Sequence, residues 1–403
     1  MAVFNYRAIG ANGEAVSGKL NAKDRAEVLN MLREKSWRPI SVEQKREVQE
    51  VSFAALSGKI GTKDVAVFCR QFYTMLNSGI SIIQCLDILR QQFDNKKMRA
   101  IISEVYELVQ KGASLSDSMR QYKNAFPELL INMVDAGEAS GNLDTILGRM
   151  AEHYEKDTRL RRKVVGAMIY PIVLLSVTVL VVIFLLTFVL PTFIQMFESS
   201  GVELPFMTRL LLGISGFLRS FWYLVLAGLI LLIWWIRHMT KTDRGMYFFD
   251  SLKLKLPVIS PVMVRIATTR FTRTLSTLLV SGIPLMNGME ITSKVIGNKV
   301  IEKTILSVRE DIRKGYDLAG PIKRSKQFPP MVDSMIKIGE ESGSLDDSLR
   351  RTADFYDEEV DMAIQRMTTM LEPLLIVFMA VVVGSIIVAI ISPMFAMYEL
   401  IGQ

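Results

Sequence analysis

The stretch FPELLINMVDAGEASGNLDTILGRMAEHYEKD, residues 126–157, recurs in altered form 202 residues later as FPPMVDSMIKIGEESGSLDDSLRRTADFYDEE, residues 328–359. Both copies contain a Gly-Glu pair, a Ser-Gly pair and a Leu-Asp pair in the same order. A repeat of this length indicates two copies of one structural unit, so every other feature is interpreted in pairs.

The likeness continues upstream of these two stretches. CRQFYTMLNSGISI, residues 69–82, corresponds to FTRTLSTLLVSGIPL, residues 271–285, and this alignment pairs Arg70 with Arg273. In the first copy, apolar residues recur every three or four positions through six segments, which is the pattern of amphipathic helices. Breaks fall where helix caps are expected, at Thr62 and at Ser114 with Asp117 three residues on. Each copy is therefore predicted to form a compact bundle of about six helices.

Three apolar segments are predicted to cross a membrane. Residues 168–190 and 373–391 are uncharged and long enough to cross about 30 Å of hydrocarbon. Residues 221–236 are fewer, but they carry Trp or Tyr at both ends, as expected at the two membrane interfaces. Matching residues mark the ends of the first and last segments: Tyr170, Pro171 and Pro191 in one copy, and Glu372, Pro373 and Pro393 in the other.

Lysine and arginine predict the orientation of these segments. They cluster on two flanks: Lys156, Arg159, Arg161, Arg162 and Lys163 before the first segment, and Arg237, Lys241 and Arg244 after the second. The stretch 191–218 has only Arg209, and the tail after residue 391 has no basic residue. Because basic flanks stay on the cytoplasmic side, we expect a cytoplasmic N-terminus and a periplasmic C-terminus.

Composition agrees with a membrane protein that has large hydrated domains. Half of the 403 residues are hydrophobic, and the formal net charge is +7. Cys69 and Cys85 form no ligand or disulfide motif, which is typical of a reducing compartment. The N-terminus lacks a basic stretch followed by an apolar core, so we expect no cleavable signal peptide.

The N-terminal stretch GEAVSGKL, residues 13–20, comes within one residue of a phosphate-binding loop. Leu20 stands where the magnesium-binding hydroxyl is needed, and Asn12-Gly13 is instead typical of a two-residue hairpin turn. With a helix over AKDRAEVLNMLREKSW and a strand over RPISVEQ, residues 1–48 are predicted to form a small α+β module that binds no nucleotide.

The predicted fold is mainly α and integral to the membrane. Its order is the α+β module (1–48), the first bundle (62–166), a first span (168–190), a short external segment (191–220), a second span (221–236), the second bundle (265–369), a third span (371–391) and an external tail (392–403).

Catalytic and metal motifs are sparse in the sequence. It has no G-x-S-x-G or H-E-x-x-H motif, and neither histidine has a neighbouring ligand set. Glu152 and Glu155 flank His153 on one predicted helix and are weak candidates for a divalent cation, although such an acidic pair is usually a solvated helix face.

These residues carry a family resemblance. RKVVGAMIYPIVLLS (162–176), the paired GEASGNLD (137–144) and GEESGSLD (339–346), and the closing Pro191 resemble the GspF/PilC family of inner-membrane platform proteins. These proteins serve type IV pilus and type II secretion systems. The likeness covers most of the chain. It departs at Glu372, where the first copy has Tyr170, and at the acidic flank EEVDMAIQR, residues 358–366.

The resemblance implies a non-enzymatic protein of the bacterial inner membrane, without cofactor or nucleic acid. Its expected partners are a hexameric cytoplasmic assembly ATPase, pilin or pseudopilin subunits, other inner-membrane assembly proteins and further copies of itself. A mannose-sensitive haemagglutinin-type pilus is one system such a protein would serve. One alternative is a small membrane transporter with an internal repeat, which is disfavoured because the chain has only three uninterrupted spans. Another is a membrane peptidase, which is disfavoured because its catalytic carboxylates would lie within the membrane and only Glu372, at the edge of a span, comes near.

Two interpretations stay open for the paired motif: a helix corner built twice, or contacts to a partner. Its candidate residues are Glu138, Gly141, Asp144, Glu340, Gly343 and Asp346. For Arg70 and Arg273 the alternatives are a solvated basic helix face and contact with an acidic surface on a partner. Glu372 is a separate case, because it either reaches the cytoplasmic interface or faces the space between the membrane helices.

Overall fold

The computed structural model describes residues 2–9, 15–22, 27, 30–32, 37–44, 59–193 and 206–401. At the N-terminus, the strands β1 (Ala2–Ile9), β2 (Ala15–Ala22) and β3 (Arg38–Gln44) form an antiparallel sheet in the order β2-β1-β3. The predicted hairpin turn and most of the predicted helix lie outside the described residues. Lys19 lies within β2 opposite Asn5, whereas the lysine of a phosphate-binding loop begins a helix, so the described part of GEAVSGKL, residues 15–20, has a different local structure from such a loop.

The first copy contains the six helices that the periodicity predicts. They are α1 (Thr62–Asn77), α2 (Ile82–Gln92), α3 (Lys96–Gln110), α4 (Leu115–Arg120), α5 (Glu128–Ser140) and α6 (Leu143–Phe184).

The predicted caps of this bundle are partly right. Ser114 caps α4, and its hydroxyl accepts the Asp117 N–H at 3.1 Å. The predicted cap at Thr62 is wrong by one residue, because Gly61 takes that position and donates its own N–H to the Asp64 carboxylate at 2.8 Å. Because the Asp64 carboxylate accepts the Gly61 N–H, the start of α1 is capped even though Gly61 has no side chain.

The second copy repeats this order. Its helices are α9 (Ser260–Val280), α10 (Leu285–Val295), α11 (Lys299–Arg313), α12 (Ala319–Ser325), α13 (Pro330–Ser342) and α14 (Leu345–Ile401). The cores correspond as well: the Phe68 and Phe126 ring centroids lie 5.2 Å apart, and those of Phe271 and Phe328 lie 5.0 Å apart.

Between the copies, α7 (Phe206–Met239) is bent at Phe221, whose φ of −122° and ψ of 25° are not helical. A further helix, α8 (Asp243–Lys255), leads to the second bundle and was not predicted. The predicted external segment 191–220 is in part helical, because α7 begins at Phe206. Within the described residues, three helices are long and apolar enough to cross a membrane: Leu143–Phe193, Arg219–Met239 and Leu345–Ser392.

The outer two spans are continuations of bundle helices, so no break separates a bundle from its membrane segment. Pro171 lies inside α6, and Pro373 lies inside α14. Neither Pro191 nor Pro393 ends its helix, because the helical backbone runs through residue 193 in the first copy and through Ile401 in the second. That these prolines close the membrane spans stays a prediction. Membrane helices tolerate proline where other groups compensate the lost hydrogen bond.

That compensation is visible before Pro191. A π-helical turn, Leu185–Val189, follows α6, and the Leu190 N–H donates to the Leu185 carbonyl five residues earlier. Since Pro191 has no N–H, the Leu186 carbonyl needs another donor, and the Ser215 hydroxyl supplies it at 2.5 Å. The Thr208 hydroxyl donates to the Ala389 carbonyl at 2.9 Å. The first half of α7 is thereby fixed to the ends of both other spans.

Candidate functional site

The repeated Gly-Glu motif builds the same internal contact in both bundles. The Glu138 carboxylate accepts the backbone N–H groups of Leu115 at 2.6 Å and Ser116 at 2.9 Å. Glu340 accepts the N–H groups of Leu318 at 2.6 Å and of the following residue, Ala319, at 3.1 Å. Each glutamate thus accepts backbone N–H groups that have no partner within their own helix, at the start of α4 or α12. Both oxygens are occupied within the chain, which favours the structural interpretation over a partner contact.

The glycines of the motif shape the corner that follows. Gly141 and Gly343 end α5 and α13 with φ values of 72° and 67°, where a side chain would be strained. Gly137 was not singled out from the sequence, yet a Cβ there would lie 3.2 Å from the Leu143 Cα. At Gly339 the corresponding distance to the Leu345 Cα would be 2.9 Å. The motif therefore lets two antiparallel helices approach closely.

Asp144 and Asp346, the last residues of the paired motif, lie in the first turns of α6 and α14. A negative charge there interacts favourably with the positive end of the helix dipole.

Arg70 and Arg273 tie the first helix of each bundle to the last. Arg70 makes two hydrogen bonds of 2.7 Å to Glu155, which raise the pKa of its guanidinium. Arg273 contacts Asp357, the residue that corresponds to Glu155 in the second copy. Each arginine thus has an internal acidic partner, while contact with an acidic surface on another protein stays a prediction.

The two divalent-cation candidates also contact bases. Glu155 binds Arg70, and the Glu152 carboxylate lies 3.1 Å from the Lys156 ammonium. Across the described part of the chain, no group of three or more His, Cys, Asp or Glu side chains is arranged to hold a metal ion. Cation binding at Glu152 and Glu155 stays a prediction.

Glu372 lies within α14 with its side chain exposed. Among the described residues it has no hydrogen-bond or ion-pair partner. Tyr170, at the corresponding place in α6, is also exposed. Both interpretations of Glu372 therefore stay predictions.

Contacts between the two bundles form a second set, which sequence reasoning missed. Arg149 donates to the Val280 carbonyl and to the Ser281 hydroxyl, both at 3.0 Å, at the C-terminal end of α9. The Lys294 ammonium lies 3.0 Å from the Glu128 carboxylate, and this hydrogen bond raises the pKa of Lys294. These contacts join α5 and α6 of the first copy to α9 and α10 of the second.

Below the membrane segments, α6 and α14 run side by side in a unit that we call the stalk, residues 156–168 of α6 and 354–371 of α14. Lys156 lies 3.2 Å from Asp354, and Lys163 lies 2.5 Å from Asp361. Both pairs advance by seven residues on both helices, so the helices are parallel and keep one register. The stalk core contains residues of three helices. It consists of Leu160, Val164, Ala167 and Met168 from α6, Val360, Ala363, Ile364, Met367 and Leu371 from α14, and Val258, Val262 and Ile266 in or just before α9.

A cavity of about 230 Å³ lies where α6, α9 and α14 meet, at the end of the stalk farther from the membrane segments. Its charged lining consists of Arg149, Glu152, Lys156, Arg273, Arg350 and Asp354. Three of the bases already have carboxylate partners, since Lys156 binds Glu152, Arg273 binds Asp357 and Arg350 binds Asp347. The cavity is thus the centre of a largely balanced charge network between the copies.

Comparison with known proteins agrees with this arrangement. The family described as "Type II secretion system (T2SS), protein F" matches residues 68–191 and again residues 271–393, and its N-terminal domain matches residues 1–43. The chain is 37% identical to the type IV pilus assembly protein PilC of Thermus thermophilus, over 98% of each chain. It is 36% identical to PilC of Myxococcus xanthus, over 98% of this chain and 95% of that protein.

Relatives from secretion systems are slightly less similar than these two PilC proteins. Type II secretion system protein F of Vibrio cholerae is 35% identical over the full length of both chains. The two matches to one family domain coincide with the two helical bundles and the membrane helices that continue from them. The chain therefore belongs to the GspF/PilC family.

Proposed function

We propose that this protein is an inner-membrane platform for assembly of a type IV pilus or of a type II secretion pseudopilus. In this role it is not an enzyme. It couples a cytoplasmic hexameric ATPase to the insertion of pilin or pseudopilin subunits from the bilayer into the filament. It acts as a homo-oligomer with other inner-membrane assembly proteins, with its N-terminus in the cytoplasm and its C-terminus in the periplasm.

One observation carries the coupling proposal: each bundle continues into the membrane as a single helix, and the two helices are held in register by the stalk. Both helices continue through a proline, Pro171 or Pro373, that removes one hydrogen bond from the ladder without ending the helix. Because each helix is continuous, displacement of a bundle moves its membrane segment. Sliding of α6 along α14 would separate Lys156 from Asp354 and Lys163 from Asp361. The stalk thus favours joint motion of the two membrane helices over independent motion of either one.

The proposal is tested by chemical crosslinking in cells followed by affinity purification of the tagged full-length chain. We expect enrichment of the assembly ATPase and of pilin or pseudopilin relative to an unrelated multi-pass membrane protein with the same tag. Deletion of the gene should abolish filament assembly or secretion. Intact output in the deletion strain, with no enrichment of either partner, would contradict the proposal.

A further inference from the structure

Helix α8 begins close to the end of the second span. The helix α7 ends at Met239 and α8 begins at Asp243, so only residues 240–242 separate them. Four Cα–Cα steps reach about 14 Å at most. Chain continuity therefore keeps the first turn of α8 close to a membrane interface.

One face of α8 is used within the second bundle. The buried Asp250 accepts the Lys299 N–H at 2.9 Å, and Leu254 packs against the bundle core. The Lys303 ammonium lies 4.5 Å from the centre of the Tyr247 ring. These contacts fix the rotation of α8 about its own axis, and so determine which side chains point away from the bundle.

The opposite face is apolar and basic. Phe248, Leu252 and Leu256, the last just beyond the end of α8, are spaced by four residues and are 64%, 45% and 40% exposed. Arg244 and Lys255 lie on the same side by helical spacing, and neither forms an ion pair with a residue in the described ranges. Single exposed apolar residues are common on protein surfaces, but an aligned row of three on a basic helix is not.

We propose that α8 is an in-plane membrane-surface helix that attaches the second bundle to the anionic leaflet. Phe248, Leu252 and Leu256 enter the boundary between headgroups and acyl chains, and Arg244 and Lys255 bind anionic phospholipid headgroups. A lipid surface fits this face of α8 because the helix has an apolar row with positive charges beside it, and because only three residues connect it to a membrane span. This attachment goes beyond the proposed coupling and would orient the bundle relative to the bilayer.

The test uses the full-length chain in nanodiscs that contain phosphatidylglycerol, with a nitroxide attached at Phe248→Cys or Leu252→Cys. Cys69 and Cys85 are buried, so the unsubstituted protein serves as the labelling blank. Ile83→Cys, at an exposed apolar site of the first bundle, is the matched control. We expect the ratio of oxygen to nickel-chelate accessibility to be several-fold higher at positions 248 and 252 than at position 83.

Two results would overturn the attachment. Nickel access at positions 248 and 252 equal to that at position 83 would show a water-exposed face, and exclusion of both reagents would show a protein partner on it. Binding of headgroups by the basic residues is tested separately. The double substitution Arg244→Glu and Lys255→Glu should lower the ratio of oxygen to nickel-chelate accessibility in phosphatidylglycerol discs. The control substitution Arg313→Glu should leave this ratio unchanged. An unchanged ratio would refute headgroup binding. Both disc faces are open to solution, so these outcomes are independent of membrane orientation and of the platform function.

Discussion

Lys156 Nζ lies 3.2 Å from Asp354 Oδ1, which sets a cation of the first repeat against an anion of the second. In the repeat alignment, Lys156 corresponds to Glu358 and Asp354 corresponds to Glu152. If the two bundles exchanged places, these two carboxylates would face each other. The pair therefore favours one arrangement of two similar bundles and disfavours the swapped one.

The first prediction concerns this pair. Lys156→Glu should lower the thermal stability of the purified protein, because it places a third carboxylate beside Glu152 and Asp354. Asp354→Lys in the same chain should restore part of the loss. Both side chains are partly exposed, so we expect a coupling of about 0.5–1 kcal/mol in a double-mutant cycle. Additive effects of the two substitutions would show that the pair does not interact.

The second prediction separates the two interpretations of the Gly-Glu motif. Glu138→Ala removes the acceptor of two backbone N–H groups and should destabilise the protein by about 1–3 kcal/mol, measured by thermal unfolding in detergent. Glu340→Ala should behave alike, and Glu341→Ala, on the exposed side of the same helix, is the control. Unchanged stability together with lost filament assembly would instead favour a partner contact at Glu138.

The repeat explains which contacts the sequence predicts. Residues shared by the copies, such as Arg70 with Arg273, hold each bundle together, so the alignment identifies them. Contacts between the bundles use matched positions in one case, because Arg149 corresponds to Arg351 and Ser281 corresponds to Ser78, and unmatched positions in another. Lys294 corresponds to Gln91 and Glu128 corresponds to Pro330, and no repeat signal marks such positions. A charged residue whose counterpart in the other copy is uncharged is a sign of a contact between the bundles, but its partner cannot be identified without the tertiary packing.

The passage of the helical backbone through Pro191 and Pro393 is not evident from the sequence, for a related reason. Pro191 and Pro393 are typical helix-ending residues in water, where each costs a hydrogen bond. In the first span the cost is offset by a π-helical turn and by the Ser215 hydroxyl, which is distant in sequence from Leu186. Local propensity could not reveal that compensation.

The third prediction tests topology. An enzymatic reporter fused after Gln403 should be active only outside the cytoplasm, and one fused after Gly245 should be active only inside, because basic residues flank the cytoplasmic ends of the spans. The activity of paired periplasmic and cytoplasmic reporters measures this. Identical locations for the two fusion points would eliminate three crossings with opposite termini.

The fourth prediction concerns Glu372. If its carboxylate faces the space between membrane helices in the assembled platform, Glu372→Gln should reduce filament assembly at normal protein level and oligomeric state. Glu372→Tyr, which copies Tyr170 of the first repeat, should do no better. Filament counts and membrane immunoblots measure both effects. Normal assembly in both variants would leave Glu372 as an interfacial anchor.

The central claim is that the stalk transmits displacement from the bundles to the membrane helices. Its most direct test is insertion of Gly-Ser-Gly-Ser after Arg162, inside α6, compared with the same insertion after Gly112, in the loop between α3 and α4. The measurement is filament assembly or secretion in the native host, with ATPase co-purification as the check on bundle integrity. We expect the stalk insertion to abolish filament assembly or secretion while the chain accumulates and retains the ATPase, and we expect the loop insertion to preserve both filament assembly or secretion and ATPase binding. Normal output from the stalk insertion would contradict the account.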